Sequence, residues 1–537
     1  MANYQLLKAD IDAKVYENAQ QKITGANLNS VLNKMVDSLG KGYQFGGLVF
    51  PADAFVAGDE KMVFVASSAG RYPSFGNFSI VDGEIALFIW EGAWKKQVVS
   101  YYKNDQVYGV RHFYNNSSPD LMRIGESFLH RDLPVQSTMR RCVVNTTGDV
   151  LYYLGENDST KKADGSGADL TGTNTTNVMV EVAEHYRKCS LNAAGGYMDV
   201  EVSLFPFEGA IFVPRYLVSA FEATVDREND VLASVVNKTA RYRGGNNNAD
   251  WDGTYKSLLG VPASSISLTA FRDKARKLGA DWGCYDWNVH TDIFWLYAIE
   301  YATLNSQKAF NPDLDAAGFR QGGLGAGVSN FSNWGTYNRT YPFIPCGHTL
   351  SLGNKTGVVA FTLNAEQAVA YGSEHTEYVP SYRGIENPFG HIWKWTDGFL
   401  ARGTGEYQEV YISRDRKQYS STLNDSYIDM GHDAAADGYV KSILATTQSL
   451  SQTLRVYGDL IPTDDTGSAT TYYTDYHYTA HTEGTIYGAL LGGNASHGAY
   501  GGLACLDSGS SPADAYATVG SRLVWQKYLL PETPTAV

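Results

Sequence analysis

The sequence predicts an α+β chain built largely from short strands, and three observations predict it. Of 537 residues, 54 are Gly and 37 are Tyr, a pairing that suits many turns and aromatic-rich β-structure better than a helical bundle. Short apolar runs bounded by Gly, Pro and Asp recur along much of the chain, as strands and turns require. Two stretches near the middle instead place apolar residues at helical spacing, and helices beside scattered strands give the α+β class.

Bulk composition narrows the function. With 43% hydrophobic and 19% charged residues the chain is globular, and its length calls for more than one core. A net charge of -14 disfavours a nucleic-acid partner, which needs clustered cations. No apolar run approaches the roughly 20 residues that span a bilayer, so no membrane insertion is expected. The opening MANYQLLKAD lacks the basic-then-apolar order of a secretion signal, and synthesis in a cytoplasm is expected.

From the N-terminus, Leu28, Val31, Leu32, Met35 and Leu39 form one apolar stripe of a helix that Thr24 caps and Gly40 ends. Residues 1–42 therefore read as a helical attachment or oligomerisation segment, its stripe packing on its own domain or zipping with copies of itself about a three-fold axis. FGGLVF, MVFVAS and EIALFIW mark a small β-domain over 43–103. A large domain over 104–537 continues with VLYYLG, NVMVEVAEHYRK and DVEVSLFPF, interrupted by the polar loop NDSTKKADGSGADLTGTNTT. LTAFRDKARKLG and the run from Trp295 through Ala309 read as its helices.

Catalytic motifs are scarce. There is no phosphate-cradling GxxxxGK[ST], zinc-binding HExxH or GxSxG elbow. GGLGAGV, from Gly322 to Val328, places its third glycine one position early for a dinucleotide turn and has no βαβ context. Cys142, Cys189, Cys284, Cys346 and Cys505 are scattered without CxxC spacing and read as buried thiols. Asp507, Ser508 and Gly509 have the composition of a hydrolase nucleophile turn, but a triad is defined by geometry rather than adjacency. Asp164, Ser166 and Asp169, or Asp250 and Asp252, offer oxygens to calcium without matching an EF-hand loop. No cofactor and no metal are expected, and the chain reads as a binder rather than an enzyme.

The most informative stretch lies near the C-terminus. Between Arg455 and Arg522, 66 residues contain neither Lys nor Arg, while Asp459, Asp464, Asp465, Asp475, Glu483, Asp507 and Asp514 carry half of the net charge. The same stretch holds eight tyrosines among small polar residues. Tyrosine gives large amphipathic contact area at low rotamer cost, so this is paratope-like chemistry, although ordinary β-loops use the same small residues.

SYRGIENPFGHIWKWTDG, from Ser381 to Gly398, is similar to the Gly-Asn-x-Trp-Glu-Trp signature of the formylglycine-generating-enzyme type of C-type lectin fold, and LLGGNASHGAYGGL followed by Gly520, Ser521, Arg522 and Leu523 resembles the closing region of that family. The ending resembles most the variable proteins of diversity-generating retroelements, phage major tropism determinants among them. The opening ITGANLNSVLNKMVDSLGKG, RYRGG at Arg241 and WLYAIEYA at Trp295 extend the resemblance along most of the chain. His391 and Lys394 stand where the enzyme branch has Asn and Glu, and no cysteine pair for formylglycine chemistry is evident.

The resemblance implies a C-type-lectin-like C-terminal domain, a homotrimer, and a phage tail receptor-binding protein that recognises a host cell-surface protein or glycan. Its place would be the virion tail tip, beside other tail proteins. A surface-glycan depolymerase and a purely structural tail-fibre component are the alternatives. A hypervariable contact surface is expected within 487–521, on Tyr487, Asn494, Ser496, His497, Tyr500, Leu506, Asp507, Ser508, Ser510, Asp514, Tyr516 and Thr518. Gly492, Gly493, Gly498, Gly520, Arg522, Trp393 and Trp395 are expected to be scaffold: glycine for tight turns, arginine to tie carbonyls, tryptophan for the core. In that family the variable codons change at adenines, and an AAC codon altered in this way never becomes Lys, which fits the missing lysines.

Overall fold

The computed structural model describes residues 44–101 apart from 57, 59, 67–69 and 81–83, then 106–307, 342, 344–362, 376–495 and 497–527. The helix expected within 1–42, the Gly322–Val328 turn and Ser496 lie outside the described residues. Two compact units emerge. One comprises Met1–Tyr108, Glu184–Tyr186 and Val202–Phe212; the other comprises Gly109–Ala183, Arg187–Glu201 and Val213–Val537.

In the first unit, β1 (Gln44–Val49) runs parallel to β2 (Met62–Ala66), and β3 (Glu84–Trp90) and β4 (Trp94–Tyr101) extend the sheet antiparallel. Alternation along β2 turns Phe64 and Ala66 inward. They meet Tyr72, Phe75, Ile80 and Phe88 in an aromatic core, with Phe64 and Phe75 edge to face at 5.2 Å. Each such ring contributes about 1.5–3 kcal/mol by leaving water.

Among the described residues the second unit is strand-rich, with two helices longer than two turns. One sheet takes the order β6 (Val150–Tyr153), β5 (Arg140–Val144), β7 (Asn177–Val182), β8 (Tyr216–Ser219), β18 (Leu523–Trp525) and β9 (Trp282–Cys284), every pair antiparallel. Strand β18 thus fills an interior position between β8 and β9. A second sheet runs β12 (Tyr427–His432), β11 (Gln408–Ser413), β10 (Trp393–Gly403), β15 (Ile486–Leu491), β16 (Leu506–Ser510), β14 (Tyr476–Tyr478) and β13 (Gly438–Tyr439), and β17 (Val519–Gly520) pairs parallel to β10.

Helix α1 (Leu268–Arg276) begins where the Ser267 side chain accepts the Ala270 N–H, and its last turn carries Lys274 and Arg276. Its Leu268, Phe271 and Ala275 join Trp282, Trp393, Trp395, Leu523 and Trp525 in one core shared by both sheets. On the same helix Arg272 makes a bidentate pair with Asp397 of β10, at 2.7 and 2.8 Å. Helix α2 (Trp287–Tyr301) is capped by Asp286, buried at every residue except Asn288, and closed by left-handed Ala302. It starts eight residues before the Trp295 expected from periodicity. Its first turns interleave Asn288, His290, Thr291 and Asp292 with apolar residues, and because His290, Thr291 and Asp292 are themselves buried, no apolar stripe against a polar face marks its beginning.

Candidate functional site

The frame of the site is the WKWTDG strand β10. Trp395 is fully enclosed and Trp393 nearly so, both in the shared core. Between them the Lys394 ammonium lies 3.0 Å from Glu222 and donates to the Ile392 carbonyl at 2.8 Å. His391 completes the group. Its Nε2 accepts the Ile344 N–H, which leaves the ring proton on Nδ1 to donate to Glu222 at 2.5 Å. Burial alone would push the Glu222 carboxyl up, but His391 and Lys394 more than offset this and hold it at about 2. Burial lowers Lys394 to about 8, with Glu222 resisting. His391 and Lys394 therefore share one buried carboxylate.

Arg522, fully buried just before β18, donates to the carbonyls of Ser219 at 3.1 Å, Asn387 at 2.6 Å and Glu386. Gly492 and Gly493 turn the chain out of β15 with φ of +92° and +71°, a region that disfavours side chains. A Cβ on Gly520 would lie 2.5 Å from Ile392 and 2.9 Å from the Ala263 carbonyl oxygen. Gly498 opens the short turn Gly498–Tyr500.

Strand pairing assembles an aromatic cluster on this frame. β14 reads Tyr-His-Tyr, so Tyr476 and Tyr478 share one face while His477 is buried on the other. Tyr439 pairs opposite Tyr476 on β13, and Asp507 of β16 is in register with Tyr478. Tyr500 leans in from its turn. Ring centroids lie at 4.5 Å for Tyr476 and Tyr500, 4.7 Å for Tyr476 and Tyr478, 5.1 Å for Tyr439 and Tyr476, and 5.3 Å for Tyr439 and Tyr500. His497, with Nδ1 accepting the Asn494 N–H, lies 5.6 Å from Tyr478 and 5.1 Å from Trp393, joining cluster to core. Burial lowers this imidazole to about 4, so it is neutral at physiological pH.

The expected contact residues divide by exposure. Tyr500 and Tyr516 stand 40% and 51% exposed, and His497, Asp507, Ser510 and Asp514 are partly exposed. Tyr487, Asn494, Leu506, Ser508 and Thr518 are buried, which corrects their expected placement on the surface. Adjacent strand residues face opposite ways. Leu506 and Ser508 point inward because Asp507 points outward, and Tyr487 has the same inward setting on β15. Thr518 accepts the Trp393 N–H with its carbonyl, at the entry to β17. Tyr439, Tyr476 and Tyr478 were not among the expected contacts. The Tyr-His-Tyr alternation signals two of them, whereas Tyr439 lies outside the cation-free stretch and only pairing reveals it.

Beneath the tyrosines, His477 Nδ1 is 2.8 Å from Asp465, its Nε2 is 3.2 Å from the Ser508 hydroxyl, and Asp433 lies 3.7 Å from Nε2. Asp465, His477 and Ser508 have the connectivity of a hydrolase triad. However, His477 and Ser508 are fully buried, and Ser508 donates to the Tyr478 carbonyl at 3.2 Å. A nucleophile must meet its substrate, so this arrangement ties β14 and β16 to the loop residue Asp465 and offers no reactive oxygen to solvent.

Among the described residues no group of three or more His, Cys, Asp or Glu is placed to hold a metal ion. Of the candidate calcium oxygens, Asp164 accepts the Ser166 N–H and Asp252 pairs with Arg243. All five cysteines are buried free thiols.

No protein-family model matches the chain, and no curated protein matches it. Among solved structures the chain is similar to one named Major Tropism Determinant P3c Variant. The match has 14% identity and a TM-score of 0.24, covering 58% of this chain and 50% of that one. It spans about half the length of that protein.

Proposed function

We propose that the chain is a receptor-binding protein of a phage tail, holding a non-covalent contact surface on a C-type-lectin-like frame. The observation that carries this reading is the cluster of Tyr439, Tyr476, Tyr478 and Tyr500, built from three chain segments. Rings held by strand pairing lose little freedom on binding, which is how aromatic hot spots reach high affinity. The phage assignment and the hypervariability of the exposed loop residues rest on the sequence resemblance of the Ser381–Gly398 and Gly492–Leu523 motifs. A trimer belongs to the same reading, and three weakly binding copies would gain avidity by about 10² or more.

The test is adsorption of the labelled full chain to cells of the phage's bacterial host, with Tyr476→Ala and Tyr500→Ala beside it. Loss of one hot-spot tyrosine costs about 2 kcal/mol, roughly 30-fold in affinity per copy. Normal adsorption by both variants would move the site elsewhere. Release of reducing sugars from host glycan would favour the depolymerase, and absence of adsorption by the unaltered chain a structural tail component.

A further inference from the structure

The aromatic cluster also carries the chemistry of its ligand, an inference that rests on the contact-surface reading above. None of the four tyrosyl hydroxyls has a hydrogen-bond partner among the described residues, so one cluster of packed rings carries four phenol oxygens without an internal partner. Two carboxylates act on the cluster, Asp437 on Tyr476 and Asp507 on Tyr478. Asp507 is in register with Tyr478, Asp514 acts on both Asp507 and Tyr516, and exposed Asp437 precedes the strand that carries Tyr439.

Among the described residues, neighbouring cations do not balance this charge. Residues 456–521 contain neither Lys nor Arg. Lys441, two residues beyond Tyr439, is paired with Asp464 at 2.8 Å, and buried His477 is engaged with Asp465. Burial pushes the Asp507 carboxyl up to about 6; Asp437 and Asp514 push more weakly the same way, and the Gly509 N–H and His477 oppose.

We propose that the cluster of Tyr439, Tyr476, Tyr478 and Tyr500, edged by Asp437 and Asp507, receives a primary alkylammonium, the side chain of a lysine on a host surface protein. Ring faces attract a cation through their quadrupole. The phenol oxygens and carboxylates accept N–H donors, which favours a primary over a quaternary ammonium, since the latter has no proton to donate. The lysine stem lies along the apolar rims of the rings.

The test titrates the full chain with Nα-acetyl-lysine methylamide, its Nε-acetylated neutral analogue, and phosphocholine, following tyrosine side-chain resonances or heat. The lysine amide should bind at least 10-fold more tightly than the neutral analogue. Tyr500→Leu should weaken it at least 5-fold, while Tyr500→Phe keeps most of the affinity because the ring face remains. Equal binding of the charged and neutral compounds overturns the proposal, and so does tighter binding of phosphocholine, which would assign a choline-bearing ligand instead. Host-cell adsorption separates this from the wider reading. If Tyr500→Leu abolishes adsorption but lysine amide neither binds nor competes, the ammonium assignment falls and the contact surface stands. If adsorption survives Tyr476→Leu and Tyr500→Leu together, the contact surface falls with it.

Discussion

Replacing Arg522 by Met tests how β18 is locked into the interior of its sheet. The guanidinium donates to three buried carbonyls, those of Ser219, Glu386 and Asn387, and the next residue, Leu523, donates its N–H to the Ser219 hydroxyl at 3.2 Å. Methionine fills much of the space but donates nothing. Each carbonyl left without a donor costs about 1–3 kcal/mol, a gross loss of about 3–9 kcal/mol. Removing a buried charge returns part of that, for an expected net loss of about 3–5 kcal/mol. Urea unfolding followed by tryptophan emission is the assay, because Trp282, Trp393, Trp395 and Trp525 report on the core where β18 sits. The midpoint should fall with the slope unchanged. Arg522→Lys, which keeps the charge but loses the planar fork, should fall between the two. A loss under about 1 kcal/mol for the Met variant would refute the idea that this side chain holds the strand.

Four further outcomes are expected. Asp397→Ala leaves the Arg272 guanidinium unpaired in the core and should destabilise by about 3–5 kcal/mol in the same assay; Arg272→Met with Asp397→Leu should recover much of that. Gly520→Ala drives a Cβ to 2.9 Å from the Ala263 carbonyl oxygen, and a thermal melt should show a loss of about 1–3 kcal/mol, as overpacking does. Glu222 falls from an ordinary 4.5 to about 2. Its contribution, about 3 kcal/mol on a shift of that size, is complete above pH 4.5 and disappears as pH falls through about 2, so Glu222→Gln should flatten the stability profile across that window. Asp507, raised to about 6 by burial, Asp437 and Asp514, is neutral below that pH. Lysine-amide affinity should therefore rise between pH 5 and 7, and Asp507→Asn should remove the rise.

Local patterning carried much of the fold. Helix α1 is legible because its apolar residues recur at three and four with Ser267 at the cap, and the runs VLYYLG and EIALFIW contain strands β6 and β3. The start of α2 is illegible because Asn288, His290, Thr291 and Asp292 break its apolar pattern, and three of these four polar residues are buried rather than gathered on a solvent face. NVMVEVAEHYRK reads as one run, yet Asn177–Val182 and His185–Asn192 are separate strands divided at Ala183 and Glu184. For the candidate site, composition located the stretch but not the facing of its residues. Composition alone puts Leu506 and Ser508 on the surface, because the parity of a strand cannot be fixed without its partners. The Glu222 and His391 contact spans 169 residues, and no short motif encodes it.

The two-residue repeat of β16 has a consequence for how this protein can change. Leu506 and Ser508 face a packed interior, whereas Asp507 and Gly509 are partly exposed beside them, so neighbouring codons answer to different constraints. A saturation library across Leu506–Ser510 should return a striped record, with Asp507 replaced widely and Leu506 and Ser508 held to residues of similar size. The chemistry offered to a ligand is thus separable from the folding of the strand that offers it, and a lineage could replace one while conserving the other.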